Sequence, residues 1–159
     1  MPLKDRKSGE TLKSSIDKVV KADYKWIKDS SNFKFDWKVE AENEVYKIFL
    51  LDSDEEILGL MSLVDHPEEY RVHLNLIETS GDQRGNVKTI DNIAGCLLAF
   101  ACQVAFNRGY LGFLSLQPKT ELINFYQDKY GFRQFGRLLA VEGTSAKFLI
   151  QNYLFDEEA

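Results

Sequence analysis

One segment limits the architectures open to this chain more than any other: "TIDNIAGCLLAFACQVAFN", Thr89 to Asn107. Ile90, Ile93, Ala94, Leu97, Leu98, Ala101, Val104 and Ala105 recur at i, i+3, i+4 and i+7 spacing, which predicts a helix. Its other side still carries Cys96, Phe100 and Cys102, so the helix should be covered on more than one face. It lies between two strand-like runs, "YRVHLNLIE" and "LGFLSLQ". A helix bridging successive strands in this way is a parallel crossover.

Upstream, "EVYKIFLL", "EEILGLMSLV" and "YRVHLNLIE" are separated by the turn segments "DSDE" and "DHPEE", and predict an antiparallel meander. The stretch "TLKSSIDKVVKADYKWIKDS" places Leu12, Ile16, Val19, Val20 and Ile27 near one helical face with lysines elsewhere, which predicts an amphipathic surface helix. Downstream, a helix at "TELINFYQDKYGF" precedes a strand over Phe132 to Leu139 and a last strand at "AKFLIQNYLF". The expected class is α+β, with a mixed, mostly antiparallel central sheet and helices on both faces. The 159 residues suit one domain spanning residues 1–159, with residues 1–10, around "KDRK", a flexible tail.

A net charge of −5 means that a nucleic-acid surface would need a local basic patch, and the sequence shows none, so no nucleic-acid partner is expected. Cys96 and Cys102 have the spacing of neither a CxxC redox pair nor a zinc knuckle, and His66 and His73 are too scattered for a metal site. We expect buried reduced thiols and no metal. No run approaches the roughly 20 apolar residues that span a bilayer, and the start lacks an apolar signal region, so a cytoplasmic protein without a membrane partner is expected. A homodimer stays open.

Two motifs, taken with this element order, resemble the GNAT superfamily of acyl-CoA-dependent N-acyltransferases over roughly Val45 to Phe148. The first runs from Ile77 to Phe106. In the family, a strand ends in a loop that opens a long helix, and small residues let the backbone N–H groups there cradle the pyrophosphate of coenzyme A. The segment "DNIAGCLL" puts Asn92, Ala94 and Gly95 at those positions, with Asn92 where a glycine is usual, and Cys96 follows. Glu78 at the strand end, Arg84 and Gly85 in "QRG", and "NIAG" together are similar to a subgroup with a lengthened loop. The second motif is a Tyr shortly before a Gly-Phe pair, near the coenzyme sulfur. In "FYQDKYGF", Tyr126 stands four residues before Gly131, one more than the common spacing, and Lys119 occupies the place of the family's Asn.

The resemblance implies a GNAT-type fold and an acetyl-CoA-dependent N-acetyltransferase acting on a small-molecule or peptide amine. It also implies that Thr79, Arg84, Gly85, Asn92, Ala94, Gly95, Cys96 and Lys119 face the coenzyme. Transfer would be direct, which agrees with the lack of a nucleophile signature such as GxSxG. An alkylamine, with a pKa of roughly 10.4, attacks only as the free base. Glu78 is one candidate base, because an alternating strand would put Val72, Leu74 and Leu76 on its face and desolvate its carboxylate. Glu78 as a solvated strand end, with ordered water as base, is the other. Tyr126 is a candidate acid for the departing thiolate, or else a core aromatic. Backbone N–H groups near Thr79 would stabilise the oxyanion. The loop Gly81 to Lys88, polar and containing two glycines, is expected to be mobile without ligand. A catalytically silent GNAT-like domain that binds an acyl-CoA or a protein partner is the alternative.

Overall fold

Strand β1 (Lys4–Asp5) and strand β2 (Ser14–Lys18) precede helix α1 (Lys21–Asp29) in the computed structural model, which describes residues 3–52 and 56–155. A 3-10 turn at Trp37–Glu40 leads into the meander β3 (Glu44–Leu50), β4 (Ile57–His66) and β5 (Arg71–Thr79). Then follow β6 (Ile90–Asp91), α2 (Ile93–Asn107), β7 (Leu114–Leu116), α3 (Ile123–Tyr130), β8 (Arg133–Phe135), β9 (Leu138–Val141) and α4 (Thr144–Tyr153). Seven strands form one sheet in the order β2-β3-β4-β5-β7-β9-β8. Among the described residues its one parallel pair is β5 with β7, joined through α2 as the crossover pattern requires. The α+β class, the meander and the crossover match the sequence expectation.

Both sheet faces are covered. On one face Ile48, Met61, Val72 and Leu74 meet Leu97, Leu98 and Ala101 of α2 and Leu149 of α4. On the other, Val45, Ile57 and Leu60 meet Ile27 of α1, Phe33 and Trp37. Alternation along β3 and β4 produces this division: Val45 and Leu60 point one way, Tyr46 and Met61 the other.

Four expectations are corrected. The strand expected over Phe132 to Leu139 is two, β8 and β9, which turn at Gly136 and pair antiparallel. The amphipathic helix is shorter than expected, because Ser14–Lys18 pairs with β3 while Ile16 alone points inward, a period of two rather than 3.6. Helix α1 starts only at Lys21, where Asp23 Oδ2 accepts the Val20 N–H at 2.9 Å. The last strand is helix α4, whose buried Ala146, Leu149 and Ile150 follow helical spacing; a short apolar run leaves that choice open in the sequence. Residues 3–10 do not form a tail. Leu3 is fully buried, β1 pairs with β6, and the Arg6 N–H reaches the Thr89 carbonyl at 2.8 Å. Within the expected turn "DSDE", Ser53 to Glu55 lie outside the described residues. Among the described residues, no helix is long and apolar enough to cross a membrane.

Candidate active site

The parallel ladder between β5 and β7 is short. It pairs Val72 to Leu74 with Leu114 to Leu116 and stops, while β5 continues to Thr79 with only β4 beside it. Across the β4 ladder, Ser62 faces Leu76 and Leu63 faces Leu74, so Asn75 is an extra residue, a β-bulge. The bulge falls where the β5–β7 pairing ends, beyond Leu74 and Leu116. It also reverses the side-chain parity. Leu76 packs in the core on the α1 side, whereas Val72 and Leu74 stay in the core on the α2 side, so of these three only Leu76 shares Glu78's face.

Helix α2 begins at Ile93, directly after β6. Asn92 adopts a left-handed conformation, φ 78°, which stands in for the family's glycine, since Asn tolerates that region better than most residues. The Cys96 N–H closes the first turn on the Asn92 carbonyl at 2.9 Å. The first-turn N–H groups of Ile93, Ala94 and Gly95 precede the helix's own acceptors and carry its partial positive charge. Ala94 is half-exposed there, while Gly95 is buried under the ring of Tyr153 from α4. A Cβ on Gly95 would lie 2.5 Å from that ring, so this glycine is required by packing between α2 and α4. Cys96 is buried and its thiol donates to the Tyr153 carbonyl at 3.0 Å. Burial pushes the Cys102 thiol up to about 12, which keeps it protonated.

Glu78 is 4% exposed, and its carboxylate already holds four donors. Oε2 accepts from the Lys34 N–H at 2.7 Å and from Arg84 Nη2 at 2.8 Å; Oε1 accepts from Trp37 Nε1 at 2.8 Å and the Phe35 N–H at 3.3 Å. Arg84 also donates through Nε to the Thr79 carbonyl at 2.7 Å, so two of its guanidinium nitrogens are held at the strand end. The adjacent Gly85, φ 56°, has open space around it. Rather than an unheld segment, Gly81 to Lys88 forms two 3-10 turns. The buried Gln83 ties them down: its Oε1 accepts the Thr89 and Ile90 N–H groups at 3.0 and 2.9 Å, and its Nε2 reaches Thr89 Oγ1 at 2.8 Å. The sequence reading missed Gln83, Asn75 and Tyr153. An amide in a polar loop carries no local signal that it will be buried.

Tyr126 and Tyr130, one turn apart on α3, share a face, with ring centroids 6.2 Å apart. Tyr130 is buried and stacks edge-on to Tyr153 at 5.8 Å, which links α3 to the start of α2. Tyr126 is half-buried and packs on Phe132 at 5.6 Å. Burial raises its pKa, and so keeps the phenol in its proton-carrying form. Gly131, φ 76°, closes the helix with its N–H on the Gln127 carbonyl at 3.2 Å, which accounts for the Gly-Phe pair. Lys119 is exposed ahead of α3. The two catalytic candidates are not brought together: Tyr126 lies with the α2-side core, and the Glu78 carboxylate points to the α1 side.

With this geometry in place, solved structures supply a match. AtaTR bound with AcCoA aligns at TM-score 0.60 and 16% identity, over 86% of this chain and 98% of that one. The spermidine/spermine N-acetyltransferase SpeG from Vibrio cholerae aligns at 0.61 and 11%, over 87% and 96%. An acetyltransferase of GNAT family from Staphylococcus aureus aligns at 0.55 and 14%, over 78% and 87%. The chain has the GNAT fold. No family model and no curated protein sequence matches it.

Beyond Leu74, one edge of Asn75 to Thr79 has no strand partner among the described residues and can receive an extended amide chain. The α2 start offers N–H groups to a phosphate, with Ala94 as the accessible residue.

Proposed function

We propose that this protein is a cytoplasmic N-acetyltransferase that moves an acetyl group from acetyl-CoA to an amine by direct attack. The observation that carries this reading is the early end of the β5–β7 ladder, which leaves one edge of Asn75 to Thr79 without a partner strand; we read this gap as the coenzyme cleft. Acetyl-CoA supplies the thioester. Its phosphates would be held by the N–H groups of Ile93 and Ala94, and its acetyl end would lie against Asn75 to Thr79. The solved AcCoA complex of AtaTR supports this choice of co-substrate.

Tyr126 would donate its proton to the departing thiolate, since burial keeps the phenol protonated. Glu78 would act as a positioning residue: with four donors on its carboxylate, it anchors the Lys34–Trp37 segment beside the cleft rather than taking the amine's proton. That proton would leave to water.

Calorimetric titration with coenzyme A, followed by an amine screen read by free thiol, tests the reading. Micromolar to millimolar coenzyme binding and thiol release with at least one amine are expected. Tyr126→Phe should lower turnover about 10²- to 10⁴-fold with coenzyme affinity unchanged. Full activity in that variant removes Tyr126 from the chemistry, and absence of coenzyme binding removes the whole reading. A silent GNAT-like binding domain is the alternative reading. Binding without thiol release from any amine would select it.

A further inference from the structure

The fold assembles a feature that the sequence did not show as a patch. Between α1, the segment Phe33–Trp37 and the start of β3 lies a basin of about 1000 Å³, on the face of the sheet opposite α2. Six lysines line it: Lys18, Lys21, Lys25, Lys28, Lys34 and Lys38. Lys21, Lys25 and Lys28 recur at i, i+4 and i+7 and so form one ridge of α1, while Lys34 and Lys38 form the facing wall. Only two carboxylates line the basin, Asp36 and Glu44, and Glu44 is held by Arg108, whose Nη1 lies 2.9 Å from it. Nearby acids are also engaged: Asp23 pairs with Lys47 at 2.9 Å, and Glu40 accepts from Asn75 at 2.6 Å. Among the described residues, none of the six lysines forms an ion pair. In a chain of net charge −5, six lysines against two carboxylates make the basin a local excess of positive charge. The basin floor is aromatic, with Tyr24, Phe33 and Trp37, and Phe35 stands 51% exposed at its edge.

We propose that this basin binds a single-stranded nucleic acid, with phosphates on the lysines of both walls and a base stacked on Phe35. Cations on two facing walls suit charges spread along a strand. One nucleotide gathers its charge at one end and would meet one wall only. Exposed aromatic surface between the cations suits unpaired bases, whose π-faces stack on such rings. The expectation of no nucleic-acid partner rested on the lack of a basic patch in the sequence. Glu78 accepts the Lys34 and Phe35 N–H groups and so holds the segment that carries Lys34 and Lys38, a tie no local pattern announces.

Fluorescence anisotropy with a short, labelled single-stranded RNA of mixed sequence tests the proposal on the intact chain, independently of any acetyl transfer. Binding is expected at about 50 mM salt, weakening towards about 200 mM with a log–log slope near −3, as about four phosphate contacts imply. The triple variant Lys21→Glu, Lys25→Glu, Lys28→Glu should lose more than about tenfold in affinity, whereas Lys147→Glu, on α4, should not. Phe35→Ala should weaken RNA binding by about tenfold or more but leave binding of inorganic tripolyphosphate unchanged. Circular dichroism confirms that the variants remain folded. No RNA binding at low salt, or equal binding by the triple variant, overturns the proposal. Displacement of the RNA by a nucleoside triphosphate at equal phosphate concentration overturns the strand and leaves a nucleotide site.

Discussion

The four donors on Glu78 decide what that residue can do. Glu78→Gln keeps the shape but removes the charge that Arg84 and Trp37 address, and should cost about 3 kcal/mol in denaturant unfolding. Adding Arg84→Met should recover part of that loss, because the guanidinium is then no longer left without its anion. A simple general base predicts neither effect. His73 supports a second prediction. Burial, then Arg71 and His66, lower its pKa below 6.5, and its Nδ1 lies 2.9 Å from Ser115 Oγ. The folded state therefore binds fewer protons than the unfolded chain just below pH 6.5, so stability should fall as pH drops through that window. His73→Gln should flatten the dependence, and an unchanged pH profile would show that His73 does not carry it. The sequence showed Glu78 as a strand-end carboxylate with a site beside it. Three of its four donors lie 41 to 44 residues away, where no local pattern can announce them.

Strong periodicity made the central elements readable: the alternation of β3 to β5 and the long apolar pattern of α2. Short segments failed where tertiary contacts decided. Ser14–Lys18 has one buried residue and becomes a strand by pairing with β3; Thr144–Tyr153 becomes a helix by packing on α2. The bulge at Asn75 was equally unreadable, since one extra residue leaves the composition of a strand untouched. Contact between α2 and α4 gives an element-scale prediction. Gly95→Ala puts a Cβ against Tyr153, at an overpacking cost of about 1–3 kcal/mol. In a Tyr153→Ala background the same change should be neutral, or stabilising by up to about 1 kcal/mol through helix propensity. Thermal unfolding of the four proteins gives the coupling. Equal effects in both backgrounds would mean that the backbone, and not the ring, requires glycine.

At the scale of the whole molecule, the sheet separates two faces, and the proposed coenzyme site depends on a tie between distant parts of the chain. Leu3 is buried with Ile90 and Ile93 in the α2-side core, β1 pairs with β6, and Arg6 bonds to Thr89 just before α2 begins. Gln83 holds the same segment from the loop side. The start of α2 is thus fixed by the first described residues as well as by its own loop. Leu3→Ala should cost about 3 kcal/mol, as for other fully buried leucines. Leu60→Ala, in the α1-side core, should cost a similar amount and serves as the control. Only Leu3→Ala should also weaken coenzyme A binding and speed amide exchange across Thr89 to Asp91, because only it loosens the tie without unfolding the sheet. If both variants bind coenzyme equally, at a temperature where both are folded, the geometry at the start of α2 is set by the loop alone.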